Sequence, residues 1–404
     1  MIRKEVLKEI IESQRDWIQR LDSGIQREIL ENIRLSPTKA VVISGIRRCG
    51  KSTLLKQIME QQKEFYYLNL EDPRLEGFES KDFTKVQEIF EETYGQSGVY
   101  FFDEIQNIPN WETFIRYLID RKKKIALTGS NASLLSRELG SKLTGRHKRV
   151  ELYPLSYREF LDMTGKNPSE DTYKEYLHTG GFPEYIKEKD ETDLNELLKD
   201  VIMRDIATRH SIRNTTILEK IALYLLSHTG NEYSYNSLKH MFHMKAVQSV
   251  IDYISYFEDS YLIFTIPRFS YSYKKQQVNP KKAFSIDNGL SKVNTIAFSK
   301  DTGKMLENDV FTELRRHNET IFYFQENGEC DFLIKEKEKI TQAIQVCTRL
   351  DEENQDREIN GLFEAMQMFK LKTGLLLTLD EEDQFERDGK IVLVRPVWKW
   401  LAQS

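Results

Sequence analysis

The chain contains little of what would tie it to an oxidising compartment or to a membrane. It has 404 residues but only three cysteines, too few and too scattered for a disulfide framework or a zinc cluster. Its apolar runs all fall short of the length of a membrane span. The N-terminus has the pattern of a charged amphipathic helix and not of a secretory signal peptide. We therefore expect a cytoplasmic protein that makes no membrane contact.

Positive charge is not in excess either. The chain carries 59 lysines and arginines against 64 aspartates and glutamates, a net charge of −5. This balance excludes indiscriminate nucleic-acid binding by the whole molecule, so any such role must rest on local basic patches. With 39% hydrophobic and 30% charged residues, the composition is that of a soluble globular protein, and the length allows about two to four domains.

One motif is strong. Residues 45–53 fit the phosphate-binding P-loop pattern G-x-x-x-x-G-K-[ST], with a strand signal before them and a helix signal after them. The two glycines let the backbone curl around a phosphate, Lys51 places a cation on the β- and γ-phosphates, and the Ser52 hydroxyl is a ligand for Mg²⁺. We expect ATP to be bound by Gly45, Ile46, Arg47, Arg48, Cys49, Gly50, Lys51, Ser52 and Thr53.

A second motif supplies two carboxylates. Residues 98–104 form an apolar run that ends in Asp103 and Glu104, the Walker B pattern. A buried strand would deliver Asp103 to the Mg²⁺ shell, together with Ser52, at the edge where open α/β sheets bind ligands. Glu104 is then placed to polarise the water that attacks the γ-phosphate. A further strand signal at residues 65–70 lies between the two motifs, and this resembles the hydrolytic P-loop branch that includes AAA-type ATPases.

Two more positions are candidates for contact with the γ-phosphate. A strand signal at residues 124–128 is followed by Ser130 and Asn131, which resembles the AAA sensor position; Ser130 is the first choice and Asn131 the second. The alternative is an N-cap for a helix from residue 132, and the two roles are compatible. Arg146 follows Gly145 on a turn and is a candidate arginine finger, with an ordinary surface cation as the alternative.

The rest of the chain divides into further segments. A helical arm occupies residues 1–36, and the P-loop AAA-type core follows at residues 37–160. Residues 161–212 resemble a helical lid. Residues 213–292 show three helices and two strands, the pattern of a winged helix. Winged helices serve both DNA and protein partners, so both alternatives are open. The side chains expected at a DNA interface are Lys239, His240, Lys245, Tyr271, Tyr273, Lys274 and Lys275.

The segment at residues 300–404 has the pattern of a third α/β unit. A helix with Glu307, a strand with Asp331 and a strand with Gln345 follow the order of restriction-endonuclease-like nucleases, whose carboxylates hold Mg²⁺ and whose lysine activates water. Cys347 stands where that lysine is expected. We therefore expect no nuclease activity from this segment, which would be kept for binding or assembly.

Several strings together resemble one family. They include the P-loop, Asp103-Glu104-Ile105-Gln106, Leu143-Thr144-Gly145-Arg146, residues 154–160, 180–184, 204–206 and 284–290. The chain is similar to prokaryotic AAA-type ATPases that carry a winged helix and a C-terminal domain of uncharacterised function with a restriction-endonuclease-like fold. The resemblance implies binding and hydrolysis of ATP and no settled cellular role.

The expected function is that of a Mg²⁺-dependent ATPase that acts as a switch or motor on a macromolecular partner, DNA or protein. Arg146 would complete a site in a neighbouring copy if the protein forms a homo-oligomer. Two alternatives are open. One is a non-catalytic, nucleotide-gated DNA-binding or scaffold protein, against which Glu104 argues. The other is an ATP-regulated nuclease, which the missing lysine opposes.

Overall fold

A computed structural model of the protein describes residues 2–130, 143, 145–295, 301–317 and 320–403. Its contacts divide the chain into two compact units, residues 1–153 and 154–404. Among the described residues, the helices are all too short or too polar to cross a membrane. The predicted helix from residue 132 and the second sensor candidate, Asn131, lie outside the described residues.

The first unit is built on a five-stranded parallel sheet in the order β2-β3-β4-β1-β5. Its strands are β1 (Ala40–Ser44), β2 (Phe65–Asn69), β3 (Val99–Asp103), β4 (Ile125–Gly129) and β5 (His147–Glu151). Its helices are α1 (Lys4–Arg20), α2 (Lys51–Glu60), α3 (Phe83–Tyr94) and α4 (Trp111–Asp120). Short 3₁₀ turns occupy Glu28–Asn32, Pro73–Leu75, Ser80–Asp82 and Ile105–Asn107.

The sequence pattern explains this sheet. Every residue of β1, β3 and β4 is buried, as expected for parallel strands that are covered on both faces. Helix α1 buries Leu7, Ile10 and Ile11, at helical spacing, in the same apolar cluster as β2 and β3. The predicted α/β core with a parallel sheet is therefore confirmed, and the N-terminal arm packs within the same unit.

The second unit begins with helices. These are α5 (Tyr157–Thr164), α6 (Glu170–Thr179), α7 (Pro183–Glu188), α8 (Glu191–Asp200), a π-helical segment (Val201–Thr208), α9 (Thr215–Ser227), α10 (Tyr235–Met241) and α11 (Val247–Asp259). An antiparallel three-stranded sheet follows in the order β6-β8-β7, with β6 (Glu232–Tyr233), β7 (Ile263–Pro267) and β8 (Lys281–Ser285). Between β7 and β8 the chain forms the short helix α12 (Tyr273–Val278), which carries three of the side chains expected at a DNA interface, Tyr273, Lys274 and Lys275.

A six-stranded mixed sheet completes the second unit, in the order β13-β14-β12-β11-β10-β9. Its strands are β9 (Ile321–Gln325), β10 (Glu329–Glu336), β11 (Lys339–Val346), β12 (Thr373–Thr378), β13 (Asp383–Arg387) and β14 (Lys390–Pro396). The helices are α13 (Asn288–Val293), α14 (Thr302–His317), α15 (Gln355–Met368) and α16 (Val397–Leu401). The predicted helix at Glu307 and the predicted strands at Asp331 and Gln345 are α14, β10 and β11.

Three of the strings that carry the family resemblance meet inside the second unit. The Gly181 carbonyl accepts a hydrogen bond of 2.7 Å from the Leu155 backbone N–H. The Gly181 N–H donates to Asp287 Oδ2 at 2.6 Å, and a Cβ at Gly181 would lie 2.2 Å from the Leu155 carbonyl oxygen. Only glycine fits there, so these strings hold the unit together by close backbone packing.

Candidate nucleotide-binding site

The P-loop connects β1 to α2. Gly50 has φ of 96° and forms the N-cap of α2, a backbone conformation that side chains with a Cβ rarely adopt. A Cβ at Gly45 would lie 2.1 Å from the Leu152 carbonyl oxygen, so the loop also needs glycine where it passes β5. The N-terminus of α2, with its positive dipole end, therefore lies directly after the loop, which is the arrangement that binds phosphate.

Lys51 is buried, and its ammonium lies within the loop. Its Nζ donates to the carbonyl oxygens of Gly45 at 3.2 Å and Ile46 at 3.1 Å. The same Nζ lies 3.6 Å from Glu104 Oε1, an ion pair whose side chains are only 5% and 11% exposed. The predicted phosphate cation and the predicted water-polarising acid are thus in direct contact.

Asp103 ends β3 and meets Ser52. The Ser52 hydroxyl is hydrogen-bonded to this carboxylate, so the two predicted Mg²⁺ ligands lie together. Thr128 donates its hydroxyl to Asp103 Oδ1, and Tyr67 donates to Oδ2 at 3.3 Å. Burial, followed by the charge of Glu104, raises the pKa of Asp103 above its ordinary value. A hydroxyl and a carboxylate oxygen are a donor set that suits Mg²⁺.

Glu104 has a strained backbone. Its φ of 52° and ψ of 48° lie in the left-handed region, and its N–H donates to the Thr128 hydroxyl at 2.9 Å. A non-glycine residue in this region costs free energy and is found preferentially at functional sites. The Gln106 amide Nε2 donates to the Glu104 carboxylate and also to Ser130 Oγ, and the distance from Nε2 to Oγ is 3.2 Å. Ser130 itself is 2% exposed.

Residues of the N-terminal arm contact the backbone of the P-loop and helix α2. The Arg27 guanidinium is 3% exposed and donates to the carbonyl oxygens of Cys49 and Tyr153, each at 2.8 Å. Gln57 on α2 donates to the Ser23 carbonyl at 2.8 Å and accepts from the Arg27 N–H at 3.2 Å. A buried arginine therefore fixes the backbone at the centre of the P-loop.

Other predicted residues have different surroundings, and Arg146 lies at the amino end of the sheet, opposite the P-loop, where its carbonyl oxygen accepts from the Ala40 N–H at 3.0 Å. Arg47 forms an ion pair with Glu71 at 3.1 Å, and Arg48 has a positive φ of 60°. Cys49 is fully buried, with its Sγ 3.5 Å from the Leu152 carbonyl oxygen, and burial raises the pKa of its thiol. Arg146 is half-exposed and paired with Asp120.

Sequence reasoning missed four residues that the structure places around these groups: Arg27, Tyr67, Gln106 and Thr128. Gln106 had a signal, because it stands two residues after Glu104 in a string that carries the family resemblance. Thr128 had a weaker one, as a polar residue near the end of an apolar strand. Arg27 had none, since its partners lie on distant parts of the chain.

The chain is similar to known protein families and to known proteins. A family model described as an AAA domain matches residues 37–161, and a model described as a domain of unknown function (DUF8612) matches residues 170–299. The "Uncharacterized protein MJ1544" of Methanocaldococcus jannaschii is 35% identical over 99% of this chain and 96% of its own length. An "Uncharacterized protein" of Haemophilus influenzae is 29% identical over 90% of this chain and 94% of its own.

Among solved structures, AMPPCP-bound DnaA from Aquifex aeolicus is 16% identical, and the match covers 62% of this chain and 88% of that one. Its TM-score of 0.29 is too low to support an inference. The relative from M. jannaschii is similar over nearly the whole of both chains. This protein, with its AAA domain at residues 37–161, therefore belongs to the family of MJ1544.

Proposed function

We propose that the protein binds Mg-ATP and hydrolyses it, and that the nucleotide cycle drives a switch or motor that acts on a macromolecular partner. The observation that carries this proposal is the convergence of four side chains at the carboxyl ends of β1 and β3. The P-loop lysine lies 3.6 Å from Glu104, and the P-loop serine is hydrogen-bonded to Asp103. This is the edge at which parallel α/β sheets bind their ligands.

The chain's own residues would divide the work. The loop N–H groups and Lys51 bind the β- and γ-phosphates, and Ser52 and Asp103 hold Mg²⁺. Bound Mg²⁺ neutralises charge on the phosphate oxygens. Glu104 orients and polarises the attacking water, while Ser130 contacts the γ-phosphate.

Contacts in the structure support a shift of Lys51 away from Glu104 on nucleotide binding. Its carboxylate is paired with Lys51, which the phosphates would claim as their cation. Gln106 holds the other carboxylate oxygen and also reaches Ser130. When Lys51 turns to phosphate, Gln106 keeps Glu104 beside Ser130, so the acid and the sensor stay together.

Phosphate release from Mg-ATP by the purified full-length protein tests the proposal. We expect steady turnover in the wild type and none in Lys51→Ala, with Lys63→Ala, an exposed lysine shortly after α2, as the control. Wild-type protein that binds ATP without turnover would favour the alternative, a nucleotide-gated DNA-binding or scaffold protein. Turnover that persists in Lys51→Ala would contradict the assignment of the site.

One surface of the second unit favours DNA as the partner. Tyr271 is 82% exposed and Tyr273 is 74% exposed, and Lys274 and Lys275 beside them are exposed as well. Two cations next to two aromatic rings suit contact with phosphates and with sugars or bases. The three helices α9–α11 and the sheet β6-β8-β7 agree in number and order with a winged helix. We therefore assign a winged-helix role to this part of the chain as part of the proposal.

Binding of duplex DNA at several salt concentrations tests this partner. The double variant Lys274→Ala/Lys275→Ala should weaken binding uniformly across sequences and reduce the salt slope by about one for each lysine that contacts a phosphate. The matched control is Lys174→Ala/Lys199→Ala, two exposed lysines on α6 and α8, which lie outside the winged-helix segment of the same unit. If the two double variants bind DNA with the same affinity and the same salt slope, these lysines do not contact DNA, and a protein is favoured as the partner.

A further inference from the structure

A buried lysine lies at the centre of a carboxylate cluster in the second unit. Lys282, on β8, has a side chain that is 2% exposed. Its Nζ lies 3.0 Å from Glu307 Oε1, 2.9 Å from Asp331 Oδ1 and 2.8 Å from Glu329 Oε1. An ammonium has three N–H donors, so these three carboxylates use all of them.

The two buried acids are satisfied on their other oxygens as well. Glu307 Oε2 accepts from Lys304 Nζ at 2.8 Å. Asp331 Oδ2 accepts from the Val346 backbone N–H at 3.0 Å. Each of the two carboxylates therefore has a hydrogen-bond partner on both oxygens, and each is in contact with a lysine ammonium.

Gln345 also uses both ends of its side-chain amide in hydrogen bonds. Its Oε1 accepts from the Asp331 N–H at 3.0 Å, and its Nε2 donates to Glu358 Oε2 at 2.6 Å. A side-chain amide that is held in this way keeps its oxygen away from the centre of the cluster. Beside these residues lies a cavity of about 370 Å³, lined by both acids and by Arg357.

The electrostatics favour a fixed cation at this point. Burial lowers the pKa of the Lys282 ammonium, but the charges of Asp331, Glu307 and Glu329 outweigh that effect and raise the pKa well above its ordinary value. Burial and the charge of Asp331 raise the pKa of Glu307 to about 6, against the opposing effect of Lys282. Without its lysine, the cluster would hold like charges in a poorly solvated place.

The residues do not fit the metal centre that a restriction-endonuclease-like fold implies. Gln345 and Cys347 stand where such a centre has an acid and a lysine. Within the described ranges, there is no group of three or more histidine, cysteine or acidic side chains suited to hold a metal. The point on which the acids of α14 and β10 converge is instead taken by an ammonium.

We propose that the Lys282 ammonium replaces a divalent cation in this cluster and closes a latent metal site. The lysine comes from the three-stranded sheet, whereas its partners come from the helix and strand of the C-terminal segment. The same contact therefore ties β8 to α14 and β10. This inference concerns the second unit alone and does not rest on the proposed ATPase activity.

Removal of the lysine should open the site to metal. In Lys282→Met the apolar side chain fills the space, but the three carboxylates lose their cation. The probe is Mn²⁺, titrated into nucleotide-free, metal-stripped full-length protein and followed by the electron paramagnetic resonance signal of free Mn²⁺. We expect Lys282→Met to bind one Mn²⁺ more than the wild type and to gain thermal stability from it. Lys282→Arg, which keeps a cation in the cluster, should behave like the wild type.

The double variant Lys282→Met/Asp331→Asn locates the bound ion. It should bind the additional Mn²⁺ roughly tenfold or more weakly, because a ligand of that ion is lost. A folded Lys282→Met that gains no Mn²⁺ binding would overturn the proposal. So would a wild-type protein whose Mn²⁺ binding is lost in Asp331→Asn, because the site would then be open.

A further variant covers the case in which Lys282→Met does not fold. Lys282→Met/Glu307→Gln/Asp331→Asn removes the acids together with the lysine and leaves no excess charge in the buried cluster. Recovery of the fold in this triple variant supports the role of Lys282 as an internal cation. If the triple variant also fails to fold, Lys282 acts through packing alone and the proposal is wrong.

Discussion

Lys51 Nζ and Glu104 Oε1 lie 3.6 Å apart, so the lysine proposed to bind phosphate and the acid proposed to polarise water form one ion pair. Both side chains are buried, and the pair is screened little by solvent. ATP would bring stronger acceptors to the lysine and separate the pair. In the proposed function, this contact would therefore couple ATP binding to water activation.

That coupling predicts different defects for the two residues. Lys51→Ala should abolish nucleotide binding, because the cation for the β- and γ-phosphates is lost. Glu104→Gln should bind Mg-ATP at least as well as the wild type and lose turnover by about a hundredfold or more, the scale of a lost general base. Fluorescent-nucleotide titration and phosphate release measure the two effects separately. Full turnover in Glu104→Gln at saturating Mg-ATP would show that another group activates water.

Gln106 is predicted to position Glu104 and Ser130 without touching phosphate. Gln106→Ala should lower kcat by roughly tenfold, the scale at which outer-shell partners act, and leave KM for ATP nearly unchanged. Gln106→Asn keeps the amide on a shorter stem and should recover only part of the rate. Asn107→Ala, an exposed neighbour on the same 3₁₀ turn, is the control. An equal loss in ATP affinity and rate would point to a general disturbance of the loop.

Arg146 is predicted to act in a neighbouring copy of the chain. Its guanidinium is half-exposed and paired with Asp120, so it is available at the surface. Arg146→Ala should bind ATP normally and lose about a thousandfold in turnover, as arginine fingers do. Mixing it with Lys51→Ala should restore part of the activity at shared interfaces. No recovery at any mixing ratio would leave Arg146 with a role in its own subunit or in structure.

The Cys49 thiol is predicted to be slow to react, although it lies inside the P-loop. The structure places the thiol against the Leu152 carbonyl, and burial raises its pKa. Native protein should therefore show far slower alkylation of Cys49 than urea-unfolded protein, and ATP should slow it further by holding the loop closed. Mass spectrometry of the modified peptide measures both rates. Rapid native alkylation with ATP binding intact would contradict this placement.

The sequence predicted the parts of the site that are local and missed those that are distant. The P-loop follows from a strand, a turn and a helix in succession, and the Walker B acids from the end of an apolar strand; in the structure the loop joins β1 to α2, and Asp103 ends β3. Arg27 and Tyr153 lie 126 positions apart, and Lys282 and Asp331 lie 49 apart. No periodicity links such pairs, because only the folded packing brings them together. Lys282 still had a signal, as a lysine at the start of an apolar strand.

Gly181 and Asp287, 106 positions apart, are the basis of a final prediction on stability. Burial raises the pKa of Asp287 to about 6, despite its bonds from backbone N–H groups. The folded protein thus keeps this proton at pH values where the unfolded chain releases it. The protonated Asp287 carboxyl therefore contributes to the free energy of unfolding. This contribution, about 3 kcal/mol, is fully present below about pH 4 and is lost as the pH rises through about 6. Asp309 nearby is also buried with a raised pKa, and it acts in the same direction.

The urea midpoint of unfolding, measured between pH 4 and pH 7, should therefore change less steeply with pH in Asp287→Asn than in the wild type. The control is Asp190→Asn at an exposed N-cap, which should leave the slope unchanged. An unchanged slope in Asp287→Asn would show that this carboxyl group does not titrate in that range.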